Sequence, residues 1–383
     1  MTAVRNYGRA ARDLWPLAPD VTYLNHGGYG VTPKEIMAVA NDWRARIEAN
    51  PTQFLSRDYS KAIRAAAASL AAFIGAQAEQ VVFLGNATDG INAVLRSLDF
   101  KPGDEIVLAS TAYTAVMKAA RYVAERSGAK VVVATLPVPL PEAETAVNAF
   151  KAVLSPRTRL VLVDHVVSPT GIVLPVKRIA DAAKAAGARV LIDGAHAPGQ
   201  IALDMPATGA DWYVANCHKW LFAPRACGFL WAAPGSEEIH PLAISHGLGG
   251  GLAAEFDWTG TRDPASVLSI PAAIAFHAKL GGPALMTRNA ALTAEALDVI
   301  AAALQTPLGA PREMFASMAT VGLPTRFGTT EADAGALRQK LAEKHNVEAI
   351  VSVLPGGLWL RLAAQAYNES AEYQRLANIL RAL

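Results

Sequence analysis

Lys219 lies in WYVANCHKWLFAP (Trp212–Pro224), directly after His218, where an apolar run that reads as a strand ends. A second such run, ARVLID (Ala188–Asp193), ends in the carboxylate of Asp193 and continues as GAHAPGQ. An amine and an acid thus each stand at the C-terminal end of a buried strand. A lysine amine forms a Schiff base with an aldehyde. A carboxylate holds the proton of a pyridine nitrogen, which keeps the ring an electron sink. That pairing is the chemistry pyridoxal 5′-phosphate needs. The competing reading makes Asp193 a turn or helix cap and Lys219 a surface lysine. It suits either residue alone, but poorly explains both at strand ends in one half of a sheet.

The elements that must position these groups alternate along the chain. EQVVFLG (Glu79–Gly85) is short and Val-rich, and ATDGINAVLRSL (Ala87–Leu98) spaces Ile91, Val94, Leu95 and Leu98 as a helix does. After the KPGD turn, EIVLAS (Glu105–Ser110) reads as a buried strand, and a helix from about Thr114 to Arg126 closes at Gly128. KVVVATL follows as a strand, then a helix ending near Leu154, then the strand RLVLVDHV (Arg159–Val166). PVKRIADAAKAAGA carries Val176, Ile179, Ala180 and Ala183 on one face and stops at Gly187, which suits a C-cap. ARVLID and DWYVANC are the next strands, with GFLWAA as a return strand. Helical connections of this length imply right-handed crossovers and a mostly parallel sheet covered on both faces. Ligands of such α/β sheets sit at the carboxyl ends of the strands, where Asp193 and Lys219 fall. From about Pro283 the pattern changes to an Ala/Leu helix ending near Leu304, MATVGLP, a helix from about Ala332 to Lys344, VEAIVSVLP, LWLRLAA and a last helix to Leu383. This predicts a large domain over residues 20–282. Residues 1–19 and 283–383 make a smaller α/β domain with antiparallel strands.

Composition sets the frame. With 383 residues, 52% of them hydrophobic, the chain can bury a large core. Its 35 basic and 33 acidic residues leave a formal charge of +2, which gives no reason to invoke nucleic acid or a membrane surface. Two cysteines, Cys217 and Cys227, exclude a disulfide framework or a Cys-rich metal module. The first residues, MTAVRNYGRAARDLWP, lack the apolar segment of a signal peptide, and no apolar stretch is long enough to span a bilayer. The expectation is a cytoplasmic protein. HGLGGGL (His246–Leu252) lacks the spacing of a dinucleotide fingerprint, and no HExxH or other metal-ligand pattern is present, so no metal is expected.

Seven stretches together resemble one family: YLNHGGYGVTP (Tyr23–Pro33), GNATDGIN (Gly85–Asn92), DHVVSPTGIVLPV (Asp164–Val176), IDGAHAPGQ (Ile192–Gln200), NCHKW (Asn216–Trp220), WTGTRD (Trp258–Asp263) and LWLRLAAQAYN (Leu358–Asn368). The chain is similar to the class V aminotransferase group of fold-type-I pyridoxal phosphate enzymes, and within it to isopenicillin N epimerase-like proteins. The group also includes cysteine desulfurases and selenocysteine lyase. The stretches occur in the family's order and span nearly the whole chain.

The resemblance implies roles. Lys219 carries the cofactor and afterwards moves protons as a free amine. Asp193 holds the ring proton, and His196 lies near the ring and its 3′-oxygen. GNATDG opens a helix, so Ala87 (small enough for close approach), Thr88 and the backbone N–H groups suit a phosphate. An ordinary N-cap by Asn86 or Thr88 is the competing reading. His218 and Asn216 are further phosphate donors, or else pack locally. Tyr113 stacks on the ring or is simply core, and Ser168 contacts the ring oxygen or makes a turn. Thr261 and Arg262 reach the phosphate of a neighbouring subunit, which implies a homodimer with shared sites, or else form a surface turn. Arg361 interrupts an apolar strand and needs a partner. Its fork fits a substrate α-carboxylate, with an internal salt bridge as the alternative. Asn25, His26, Arg57, Tyr367 and Asn368 are further substrate-side candidates.

The implied substrate is an amino acid that loses a proton at Cα. Epimerisation, transamination and elimination all begin there. A persulfide-forming desulfurase is disfavoured, because it attacks sulfur with a cysteine in the C-terminal third and no cysteine follows Cys227. Epimerisation needs a second proton donor opposite Lys219, for which Tyr113 and His196 are candidates. A non-catalytic pyridoxal phosphate-binding protein is the alternative of a different class.

Overall fold

The computed structural model describes residues 6–383. Its centre is a seven-stranded sheet of β2 (Val81–Leu84), β3 (Glu105–Ala109), β4 (Lys130–Ala134), β5 (Thr158–Asp164), β6 (Arg189–Asp193), β7 (Trp212–Asn216) and β8 (Gly228–Ala232), preceded in the chain by the short β1 (Thr22–Tyr23). Spatial order is β2-β8-β7-β6-β5-β3-β4. Only β8 runs antiparallel to its neighbours. The ends of β2, β3, β5, β6 and β7 therefore share one edge, to which the sequence assigned Asp193 and Lys219.

Both sheet faces are covered, and the period-2 alternation of the strands divides the core accordingly. Val161, Val163, Val190, Ile192, Tyr213 and Phe229 enter one buried cluster. Leu160, Leu162, Leu191, Trp212, Val214 and Leu230 enter the other. The helices that precede the sheet are α1 (His26–Tyr29), α2 (Lys34–Ala49), the single turn α3 (Pro51–Gln53) and α4 (Tyr59–Ile74). Those that cross it are α5 (Ala87–Ser97), α6 (Thr114–Ser127), α7 (Ala143–Lys151) and α8 (Val176–Ala185). After α8 the chain turns at Gly187, φ +82°, as a glycine past a helix end should. Helices α2 and α4 had no counterpart in the sequence reading. Their signal was present: α4 buries Ile63, Ala66, Ala67, Leu70 and Ile74, a helical stripe diluted by alanines.

After α9 (Leu252–Asp257), α10 (Ala265–Leu268) and α11 (Ile270–Lys279), the C-terminal part has its own core around Leu297, Ile300, Leu341, Leu360 and Leu376. It comprises α12 (Pro283–Leu304), β9 (Met318–Gly322), α13 (Glu331–His345), β10 (Val347–Glu348), β11 (Ile350–Leu354), β12 (Gly357–Ala363) and α14 (Ser370–Ala382). The antiparallel expectation holds for β11-β12-β9. It fails for VEAIVSVLP, which splits at Ala349: β10 pairs in parallel with β1, so residues 22–23 join the C-terminal part. No helix among the described residues is long and apolar enough to cross a membrane.

Candidate active site

The shared strand edge opens into a cavity of about 420 Å³. It gathers Asn25, Ala87, Thr88, Tyr113, Ser168, Asp193, His196, Asn216, His218, Lys219 and Arg361. These residues come from seven separate stretches of chain, most of them at or just past the end of a strand or at the start of a helix, with Arg361 inside β12.

Lys219 Nζ stands 3.1 Å from His196 Nε2. Burial lowers the amine to about 8, the Asp193 carboxylate resists that fall and Arg361 adds to it. The amine is therefore poised to lose its proton near neutral pH. Burial, and then the charge of Lys219, hold the His196 imidazole well below its ordinary range. It is neutral, and Nε2 also lies 3.3 Å from Ser168 Oγ. Asp193 Oδ1 accepts from the Ala195 N–H at 2.9 Å. Burial raises this carboxyl, opposed by that N–H and by Lys219.

Arg361 is 6% exposed. Nη1 donates to the Ser168 carbonyl at 2.5 Å and Nη2 to Asn25 Oδ1 at 2.9 Å. Both partners are neutral oxygens, so the internal salt bridge is not what holds it. Burial lowers even this guanidinium, to about 10. A buried cation with no counter-charge at its fork has the chemistry to receive an anion.

At the start of α5, Asn86 Oδ1 accepts from Asp89 N at 3.1 Å, and Ala87 N donates to Asn216 Oδ1 at 2.8 Å. Asn216 thus spends its oxygen on the helix end and leaves its amide to the cavity. His218 gives its Nδ1 side to the Cys227 carbonyl at 3.0 Å. Burial lowers it to about 4, so Nε2 donates to a phosphate only once an anion raises that value.

Five expected residues do not line this chain's cavity. Arg57 is exposed on the turn Phe54–Asp58 and does not line the cavity. Thr261 is exposed and also absent from the wall, while its neighbour Arg262 donates to Phe256 O at 3.3 Å within the chain. His26 is fully buried, 0% exposed, because it faces the protein interior instead of substrate. Its Nε2 bonds the Lys219 carbonyl and its Nδ1 the Tyr367 hydroxyl, each at 2.9 Å. Tyr367 and Asn368 are likewise buried outside the cavity, where Asn368 Nδ2 donates to Tyr23 O at 3.1 Å. The segment that carries His26 is pressed onto the lysine loop. Gly30 has φ +67°, and a Cβ there would lie 1.9 Å from His218 O.

Asp164, Tyr29, Ile350 and Ser352 also line the cavity and were missed. Asp164 had a legible signal, since it ends an apolar strand as Asp193 does. Ile350 had none: it reaches the cavity as the cross-strand partner of Arg361.

These residues fit a pyridine aldehyde phosphate. An amine, a buried carboxylate and a helix N-terminus line one cavity, the set of groups such a ring needs. Two polar atoms of the site, His196 Nδ1 and Asp164 Oδ2, are buried without any partner.

Comparison with known proteins agrees. The family model for aminotransferase class-V matches residues 22–340. Isopenicillin N epimerase of Streptomyces clavuligerus is 35% identical over 393 residues, covering 97% of each chain. A probable chloroplastic L-cysteine desulfhydrase of Arabidopsis thaliana is 32% identical, covering 95% of this chain and 83% of the relative. The solved complex of the cystine C–S lyase C-DES with cysteine persulfide superposes with a TM-score of 0.80 at 22% identity, over 95% of this chain and 98% of the other. Apo cysteine desulfurase from Thermococcus onnurineus NA1 gives 0.83 at 20%, over 100% and 99%. On the family match and the full-length relatives, the chain belongs to the aminotransferase class-V family of pyridoxal 5′-phosphate enzymes.

Proposed function

We propose that the cavity binds pyridoxal 5′-phosphate through Lys219 and removes the Cα proton of an amino acid whose carboxylate is held by Arg361. The observation that carries this reading is the Lys219 amine, lowered to about 8, in one cavity with a buried carboxylate and a buried, uncountered guanidinium. When bound, the cofactor supplies an aldehyde that takes up amines and a ring that accepts the electron pair left at Cα. Asp193 holds the ring nitrogen's proton. Thr88, His218, the Asn216 amide and the α5 N-terminus take the phosphate, with Ala87 allowing close approach. Tyr113, 48% exposed on the cavity wall, covers a ring face. Ser168 and His196 serve the ring oxygen. Arg361 fixes the carboxylate, assisted by Asn25, and thereby sets which Cα bond points at Lys219. Lys219 Nζ then takes that proton, and neutral His196 at 3.1 Å accepts a hydrogen bond from the ammonium and orients it.

Return of a proton from the opposite face inverts Cα, as an isopenicillin N epimerase-like enzyme would. His196 is hydrogen-bonded to Lys219, and Tyr113, on the cavity wall without that contact, is the candidate opposite donor. A second reading, elimination of a β-substituent such as sulfur, is supported by the similarity to an L-cysteine desulfhydrase. Both cysteines are buried and neither lines the cavity, so a C–S lyase here would work without a persulfide-forming thiol. The reading includes a homodimer in which Thr261 of one chain serves its neighbour's phosphate.

Borohydride reduction of the loaded protein tests the cofactor site. The wild type should retain a covalent chromophore and Lys219→Ala should not, and a label on any other lysine would refute the assignment. L-amino acids in heavy water then separate the reactions: inversion with Cα exchange marks epimerisation, keto acid without sulfide transamination, and sulfide with pyruvate elimination. Sedimentation of the purified chain checks the dimer.

A further inference from the structure

Asp164 ends β5 as Asp193 ends β6, and the two are direct partners across the parallel ladder. Their backbones therefore lie about 4.8 Å apart. Asp164 has the strand parity of Leu160 and Leu162, and Asp193 that of Leu191, and all three leucines enter the same cluster. Both carboxyl groups thus leave the sheet on one face, into one cavity wall. They are 3% and 5% exposed.

Their company differs. Asp193 has the Ala195 N–H and the Lys219 charge to favour its ionised form. Backbone N–H groups of Asp164 itself and of Tyr113 favour the ionised form of Asp164 as well, but no cation does, none of the ion pairs among the described residues includes it, and its Oδ2 is sealed from solvent without a hydrogen-bond partner. The groups facing the pair are Lys219 and Arg361 across the cavity, neutral His196 and His218, and the Tyr213 phenol packed under Gly194. None of them reaches Oδ2. Two carboxyls side by side in a dry wall cannot both ionise, and the proton goes to the one whose charge is less well solvated.

We propose that Asp164 is a carboxylic acid at neutral pH, holding the single proton of the Asp164–Asp193 pair and leaving Asp193 as the carboxylate that faces the cavity. Burial, then the adjacent Asp193, raise Asp164 well above the carboxylate range, in the same direction. Asp164 is then a positioning residue acting through Asp193. While it stays neutral, Asp193 keeps its charge for the ring nitrogen, and that consequence rests on the proposed function above. The location of the proton rests on the chain alone.

Infrared difference spectra of the full-length protein, as purified and after cofactor removal, test the assignment. At neutral pH the wild type should show a buried carboxylic-acid C=O band that Asp164→Asn removes. In Asp193→Asn the band should persist above the ordinary Asp value near 3.9, because burial alone still raises Asp164, with its midpoint moved down because the neighbouring charge is gone. A band kept in Asp164→Asn but lost in Asp193→Asn puts the proton on Asp193 and overturns the proposal. So does a wild type with no such band. If Asp164→Asn does not fold, Asp193→Asn decides alone, since an acid band that vanishes at the ordinary Asp value near 3.9 is then the refuting result. Failure here is separate from failure of the cofactor reading, which borohydride labelling of Lys219 judges.

Discussion

At the scale of single residues, the site works by withholding solvent from charges. Lys219 would be a protonated, inert amine in water, and burial brings it to about 8. We expect borohydride-trappable uptake of an aldehyde by this amine to rise with pH through about 8 and then level off. A rise continuing toward the ordinary lysine range would contradict the burial argument. Arg361 is the complementary case, a buried cation whose fork meets only neutral oxygens, which the proposed function assigns to a substrate carboxylate. Arg361→Ala should raise KM for the amino acid about 10–100-fold, since charge-assisted hydrogen bonds contribute about 1.5–3 kcal/mol. Arg361→Lys should recover only part, because an ammonium cannot span both carboxylate oxygens. Steady-state kinetics check both.

At the scale of elements, the site depends on how helix starts and loops are pinned to the sheet edge. The Asn86 side chain caps α5, and the Asn216 oxygen takes the Ala87 N–H of the same end. Asn86→Ala should cost about 1 kcal/mol of stability and weaken cofactor retention, seen in urea midpoints and in equilibrium dialysis. Gly30 is stricter. With φ +67° and the His218 carbonyl 1.9 Å from where a Cβ would stand, Gly30→Ala must push the His26–Gly30 segment off the lysine loop. A cost of about 3 kcal/mol is expected from left-handed strain and overpacking together, with loss of the bound chromophore. The lysine loop carries strain of its own, since Phe222 and Ala226 have φ of 66° and 60°. Much of this level was legible in the sequence. GNATDG announced a capped helix, and each main strand was an apolar run. Helices α2 and α4 were not read although α4 carries a helical stripe, because alanines dilute it and weaken the contrast between its faces.

At the scale of the whole molecule, buried histidines tie stability to pH. Burial lowers His26, His165 and His218 to about 4. Their folded values lie below the unfolded one near 6.5, so unfolding takes up protons between about 6.5 and 4. Stability should therefore fall as pH drops through that window. For fully buried His26 the shift amounts to roughly 3 kcal/mol at most. Asp164 and Asp193, raised in the fold, act with the opposite sign and lose stability as pH rises above the ordinary carboxylate range. Urea midpoints followed from neutral pH to about 4 should show the net loss. His165→Asn, outside the cavity and able to keep a contact with the Tyr213 hydroxyl, should make that loss shallower. An unchanged slope would remove His165 from the account.

By itself the amino-acid sequence determined the α/β class, the family, and the placement of Asp193 and Lys219 at strand ends. Those properties follow from local periodicity and from residue types repeated in order along the chain. Only the tertiary structure decided the company each side chain keeps. It joined Asn25, Ser168 and Arg361 into one clamp, moved His26 from the substrate side to the Lys219 carbonyl, left Arg57 and Thr261 outside the wall, and set Asp164 beside Asp193. Burial and charge proximity are sums over residues far apart in the chain, and such sums exist only once the sheet has brought its strand ends to one edge.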